Sequence, residues 1–161
     1  MKITSAITTV CIILILLAIV AKAFDIPGVS IVLILTSGIA SILFFLEILL
    51  SIFYFKGHSR IMLLSVISCL GLSNAVTGVL FRFMFWPNWQ AILIAGLPLL
   101  VAGLILIATS QSEIKNLELS KRNVLNRAIV LPVALFLLIG IAIWIVPEDA
   151  FWRLFSSRAI Q

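Results

Sequence analysis

The sequence predicts an all-α, polytopic membrane protein: five transmembrane helices built from repeated helical hairpins, followed by a C-terminal interfacial helix. Three observations carry this prediction. Of 161 residues, 63% are hydrophobic and only 11% charged. A soluble domain of this size needs more charge on its surface, so the surplus apolar area must face lipid. Five apolar runs, at about 4–23, 28–55, 61–84, 89–109 and 128–146, each come near or exceed the roughly 20 residues that cross a hydrocarbon core about 30 Å thick. Finally, a proline turn recurs sixty residues apart. Lys22-Ala-Phe-Asp-Ile-Pro27-Gly-Val-Ser-Ile-Val-Leu33-Ile34 returns as Arg82-Phe-Met-Phe-Trp-Pro87-Asn-Trp-Gln-Ala-Ile-Leu93-Ile94, with Ile145-Val146-Pro147 as a partial third copy.

In lipid the backbone must satisfy its own hydrogen bonds, so the runs are read as helices. The chain then divides into a first hairpin (1–60), a second hairpin with a cytoplasmic loop (61–120) and a third, partial unit (121–161). The first run, with Lys2 before it and Ala21-Lys22-Ala23 at its end, also fits a cleavable signal peptide. Its apolar stretch is longer than a signal core, and its end aligns with that of the third run across the repeat. It is therefore read as retained.

Helices one, three and five run to the same side and end at Pro27, Pro87 and Pro147. Proline cannot donate the next helical hydrogen bond, and it disfavours helix in the residue before it. It also suits the first position of the returning helix. Pro27, Gly28, Pro87 and Pro147 are thus the expected turn residues. Lys22 and Arg82 sit just over one turn earlier, where their stems can snorkel to the headgroups, and Trp86 and Trp89 suit the same interfacial layer.

The connections on the other side differ. Phe55 to Arg60 is short and basic, with Gly57 as breaker. Ser110 to Asn126 mixes Ile114, Leu117 and Val124 with charges of both signs. With Glu118 and Arg122 four apart, it reads as a short helix lying along the membrane. After Pro147, Glu148 and Asp149 suit a helix N-terminus. Phe151, Trp152, Leu154 and Phe155 cluster beside Arg153 and Arg158, the pattern of an interfacial helix. Lys2, Lys56, Arg60, Lys115, Lys121, Arg122 and Arg127 fall on one side of this topology, and Lys22, Arg82, Arg153 and Arg158 on the other. Seven bases against four put the N-terminus in the cytoplasm and the C-terminus outside, in a bacterial inner membrane.

Candidate functional residues are few. Glu47 is the one carboxylate well inside an apolar run, where a charge costs about 2.5–3.5 kcal/mol on insertion scales and often signals ion coupling. It lies twenty residues past Pro27, a rise of about 30 Å. The depth predicts an interfacial residue paired with Lys56 or Arg60. Ser65, Cys69, Ser73 and Thr77 are spaced by four on one face of the third helix, with Asn74 beside them. Small residues so placed let membrane helices approach closely, and Asn74 would clasp a neighbour. A polar pathway along Ser73, Asn74 and Thr77 is the other reading. Pro98 and Pro132 should each kink its helix, the fourth and the fifth, or leave a carbonyl free for another partner. Cys11 and Cys69 read as small packing residues. His58 lacks visible metal or catalytic partners. No catalytic, cofactor-binding or metal residue is assigned, and no cofactor is expected. The partners implied are the lipid bilayer and other transmembrane helices, from copies of the chain or other subunits, with no nucleic acid.

The proline turn resembles the transmembrane hairpin of the gliding-motility protein L family, the motor subunit associated with the type 9 secretion system of Bacteroidota. The first copy keeps Lys22, Pro27, Gly28, Leu33 and Ile34 of that pattern. The second keeps Trp86, Pro87, Leu93, Ile94 and Gly96, with Arg82 in the basic slot. The resemblance implies a helical hairpin of an inner-membrane assembly. The family's histidine position holds Asp25 and Phe85, and its membrane carboxylate falls on Ala40 and Leu100. A proton-driven motor thus loses its central group. The expectation is a non-enzymatic structural or accessory subunit of a membrane complex. The alternative is a small transporter or channel with a polar mid-membrane pathway.

Overall fold

The computed structural model describes residues 2–24 and 26–155; Asp25, Arg158 and the side chains of Lys2 and Trp152 lie outside the described residues. Helices account for nearly all of it: α1 (Lys2–Ala23), α2 (Val29–Tyr54), α3 (Ser59–Phe83), α4 (Trp89–Thr109), α5 (Gln111–Asn116), α6 (Leu119–Leu125), α7 (Leu131–Ile145) and α8 (Glu148–Phe155). No strand occurs among the described residues. Five segments are long and apolar enough to cross a membrane: Ile3–Ala23, Val29–Tyr54, Ser59–Phe83, Trp89–Thr109 and Leu119–Ile145.

The fifth span starts earlier than its apolar run. A π-turn, Asn126–Val130, joins α6 to α7 without a break. Its cause is Pro132, which has no N–H to donate and whose ring would press on the carbonyl four residues back. The widened turn, closed by Leu131 N–H on Asn126 O, absorbs both effects. The expected surface helix over 110–126 is therefore corrected. The six-residue α5 stops where Leu117 turns extended (φ −66°, ψ 147°), and α6 belongs to the span. Glu118 opens α6 through its backbone, its carbonyl accepting from Arg122 N–H at 3.0 Å. Pro98, by contrast, sits on an exposed side of α4, which runs uninterrupted.

α3 is the centre of the bundle. It packs against α2, α4 and α7 and is the most buried of the five spans, although it is the least apolar. In lipid that inversion is expected, because outward faces carry the apolar side chains and inward ones the small and polar groups. α3 and α4 meet on glycines. A Cβ on Gly96 would lie 2.9 Å from Ala75 N, and one on Gly71 would lie 3.0 Å from Leu100 N.

The two proline turns share their geometry. Ile26 N–H bonds Ala21 O at 3.3 Å, and sixty residues on Trp86 N–H bonds Phe81 O at 2.9 Å. In the second turn Phe85 N–H also bonds Arg82 O at 3.1 Å, and Phe85 is left-handed (φ 55°). These are the paired bonds of a Schellman helix end. The residue after each proline is left-handed as well: Gly28 at φ 82° and Asn88 at φ 65°. Glycine adopts this region freely, and asparagine is among the few other residues that tolerate it.

Pro147 behaves differently. Its carbonyl accepts from Phe151 N–H at 3.0 Å and opens α8, which lies across the end of α3. Phe151 is 3% exposed, its ring 5.1 Å from Phe83 and 6.0 Å from Phe85, while Phe155 stands 4.9 Å from Phe83. These aromatic side chains pack against protein rather than lipid. Leu154 remains outward.

Candidate functional site

Among the described residues two charged side chains are buried, one toward each end of the bundle. Glu47 lies seven residues before the end of α2, about 10 Å along the helix. The expected pairing with Lys56 or Arg60 is overturned. Glu47 is fully buried, Lys56 is exposed, and Arg60 instead pairs with Glu113 at 3.4 Å. Helix rise gives the position of Glu47 along α2, but rotation decides the environment. Glu47 shares its face with Leu33, Thr36, Ser37, Ala40, Phe44 and Ser51, the buried face of α2. From α1, Thr8 donates to Glu47 Oε1 at 3.1 Å, and Ser51 donates to the Glu47 backbone carbonyl at 2.6 Å. Glu47 Oε2 has no hydrogen-bond partner, nor do the buried hydroxyls of Ser65 and Ser68 on α3. Uncompensated polar groups are costly in a low-dielectric interior, so such a cluster marks either a helix lock or a functional site.

At the proline end stands Arg82. The expected snorkelling anchor is overturned here too, since only 5% of the residue is exposed. Its Nη1 donates to Glu148 Oε1 at 3.0 Å and its Nη2 to Val146 O at 3.3 Å. The guanidinium lies 4.0 Å from the Trp89 ring centre and 4.5 Å from that of Phe151. Planar, delocalised and weakly hydrated, a guanidinium suits this aromatic setting as a lysine would not. Burial of the aromatic cluster over α3 thus captures Arg82 before it can reach water.

The other named residues divide. Lys22 is half-buried and donates to Ser30 Oγ at 3.1 Å and toward Met84 Sδ at 3.8 Å, tying the first turn to the second. Trp86 is 39% exposed and meets Phe81 edge-on at 5.0 Å. Trp89 is half-buried beneath Arg82, with Trp144 at 6.0 Å. Ser65 and Cys69 are fully buried. Ser73 Oγ lies 2.7 Å from Ser41 Oγ on α2, and Thr77 Oγ1 lies 3.4 Å from the same atom. Asn74 is not the expected clasp: its amide donates to Leu70 O of its own helix at 3.0 Å. His58 precedes α3, and its carbonyl accepts from Met62 N–H at 2.9 Å. Among the described residues, no three His, Cys, Asp or Glu side chains gather as a metal site.

Several partners escaped the sequence reading. Thr8 and Ser41 are among several hydroxyls on their spans (Thr4, Ser5 and Thr9; Thr36 and Ser37), and nothing local says which one meets a partner. Asn88 was legible, because it occupies the slot of Gly28 in the repeat. Glu148 was legible too, lying on the same side of the topology as Arg82. The glycines of α3 and α4 were overshadowed by the serine and cysteine stripe. No known protein family, curated protein or solved structure matches the chain.

Proposed function

We propose that the chain is a non-enzymatic, structural or accessory subunit of a bacterial inner-membrane complex, with its N-terminus cytoplasmic and its C-terminus outside. The observation that carries this reading is the use of Glu47: its carboxylate accepts a hydrogen bond from Thr8 of a neighbouring helix. Ser41 with Ser73, and Arg82 with Glu148, likewise join separate helices. Polar side chains spent in this way fix helix positions rather than line a path. The likeness to the gliding-motility hairpin fits the same reading, as a shared building block. Gentle solubilisation of native membranes followed by affinity capture is expected to bring down a stoichiometric partner, a second copy or another subunit. Recovery of a monomer alone would overturn it.

A small transporter or channel is the second reading. It is favoured by Glu47 Oε2, Ser65 Oγ and Ser68 Oγ, which are buried without partners. In proteoliposomes that reading requires an ion flux abolished by Glu47→Gln. No flux from the wild-type chain excludes it.

A further inference from the structure

The proline end of the bundle holds a cavity of about 420 Å³, bordered among others by Arg82, Trp86, Asn88, Trp89, Gln90 and Glu148. This volume falls within the range of small-ligand sites. Its surroundings are rich in donors. α4 begins there at Trp89, with no side-chain cap from Asn88 and no acidic residue in its first turn. The leading N–H groups of a helix have no partner within it, and its dipole is positive at that end. Asn88 and Gln90 are exposed and add two side-chain amides. Arg82, nine-tenths buried and more, borders the same space with its Nε unpartnered. Lys22, reaching Met84 beside the turn, adds a second cation to this end. Against these donors stands one carboxylate of the lining, Glu148. It engages Arg82 at 3.0 Å, yet its side chain is 60% exposed.

We propose that this cavity is an oxyanion-binding site, in which Glu148 is a built-in competitor that an incoming phosphate displaces from Arg82. A guanidinium presents a planar fork matched to phosphate or carboxylate oxygens. Trp89 and Phe151 hold its plane at 4.0 and 4.5 Å, so its orientation survives the departure of Glu148. The uncapped start of α4 then supplies backbone donors to the same anion. Because the site lies at the ends of apolar spans, the phosphate belongs either to a lipid headgroup or to a free phosphate compound.

The test uses the full-length chain purified in a neutral detergent, read by thermal unfolding and tryptophan emission. Inorganic phosphate is titrated against sodium chloride of equal ionic strength, and dioctanoyl phosphatidylglycerol against dioctanoylglycerol. A rise in unfolding midpoint with phosphate but not chloride supports a free anion as ligand. A rise with the phospholipid alone, absent with its phosphate-free analogue, supports a headgroup. Glu148→Gln is expected to tighten binding roughly fivefold, the scale of a partly exposed ion pair. Arg82→Gln should abolish the response. Should that variant fail to fold, Asn88→Gly keeps the left-handed turn while deleting the amide, and should weaken binding several-fold. No response in either arm, for both the wild type and Glu148→Gln, overturns the proposal. So does weaker binding by Glu148→Gln.

Discussion

Thr8 and Glu47 show what one hydroxyl does in the packed interior of a helix bundle. Thr8 is the hydrogen-bond donor that meets the Glu47 carboxylate, at 3.1 Å. Thr8→Val keeps the shape and deletes the donor, leaving a buried acid without that partner. The expected loss of stability is about 1–3 kcal/mol. That exceeds the roughly 0.6 kcal/mol average of interhelical bonds in membranes, because here the orphaned group is a carboxyl already short of one partner. Replacing both, as Thr8→Val with Glu47→Leu, should recover most of the loss, since no buried polar group then remains at the contact. Thermal unfolding of Thr8→Val and of the double variant in one detergent decides the matter, and equal losses in the two would refute the account. The position of Glu47 along α2 was legible from helix rise. Its burial was not, because both faces of α2 are apolar and lipid gives no contrast between inside and out. The small and polar residues Thr36, Ser37, Ala40 and Ser51, which share one face with Leu33, Phe44 and Glu47 at spacings of three or four, were the available sign.

At the scale of the element, the repeated turn and the α3–α4 seam depend on different physics. Each turn places a left-handed residue after its proline, and a β-carbon costs roughly 1–2 kcal/mol there. Gly28→Ala should therefore destabilise by about 1 kcal/mol, whereas Asn88→Gly should be close to neutral. Equal effects would mean that the prolines alone hold the turns. The seam responds to volume. A Cβ at Gly96 would meet Ala75 N at 2.9 Å and Gly71 O at 3.2 Å, both backbone, so the helices must part. At Gly140 the close neighbour is Leu97 Cδ2, the far end of a flexible side chain. Gly96→Ala is expected to cost about 1–3 kcal/mol, the range for overpacking, and Gly140→Ala markedly less. Denaturation midpoints of the pair check this, and the reverse order would refute the close approach. The turns were legible because proline and glycine act locally. The seam was only partly so, since which glycines face each other depends on how two helices are rotated.

For the whole molecule, five segments crossing in turn would place the two termini on opposite sides, and in the proposed topology the basic residues choose the direction. All five spans were legible in length and hydropathy, and the fourth matched to the residue at 89–109. The start of the fifth was not, because the charged α6 hid its extension from 128 back to Leu119. That extension carries Lys121 and Arg122 into the first turn of the span, with Arg127 within its π-turn. The structure sets Lys121 Nζ 5.9 Å from the ring centre of Tyr54, at the end of α2. In the proposed topology these three bases are part of the seven that oppose four others, so replacing them with glutamine leaves four against four. Orientation follows the excess of Lys and Arg near the span ends, and a balanced count removes the bias. In the wild-type chain, a reporter inserted near Asn116 should be cytoplasmic and one fused after Gln161 external. In the triple glutamine variant, each reporter should register on both sides. Unchanged single-sided labelling would show that the packing of the five helices, rather than the charge count, dictates which end of the bundle faces the cytoplasm.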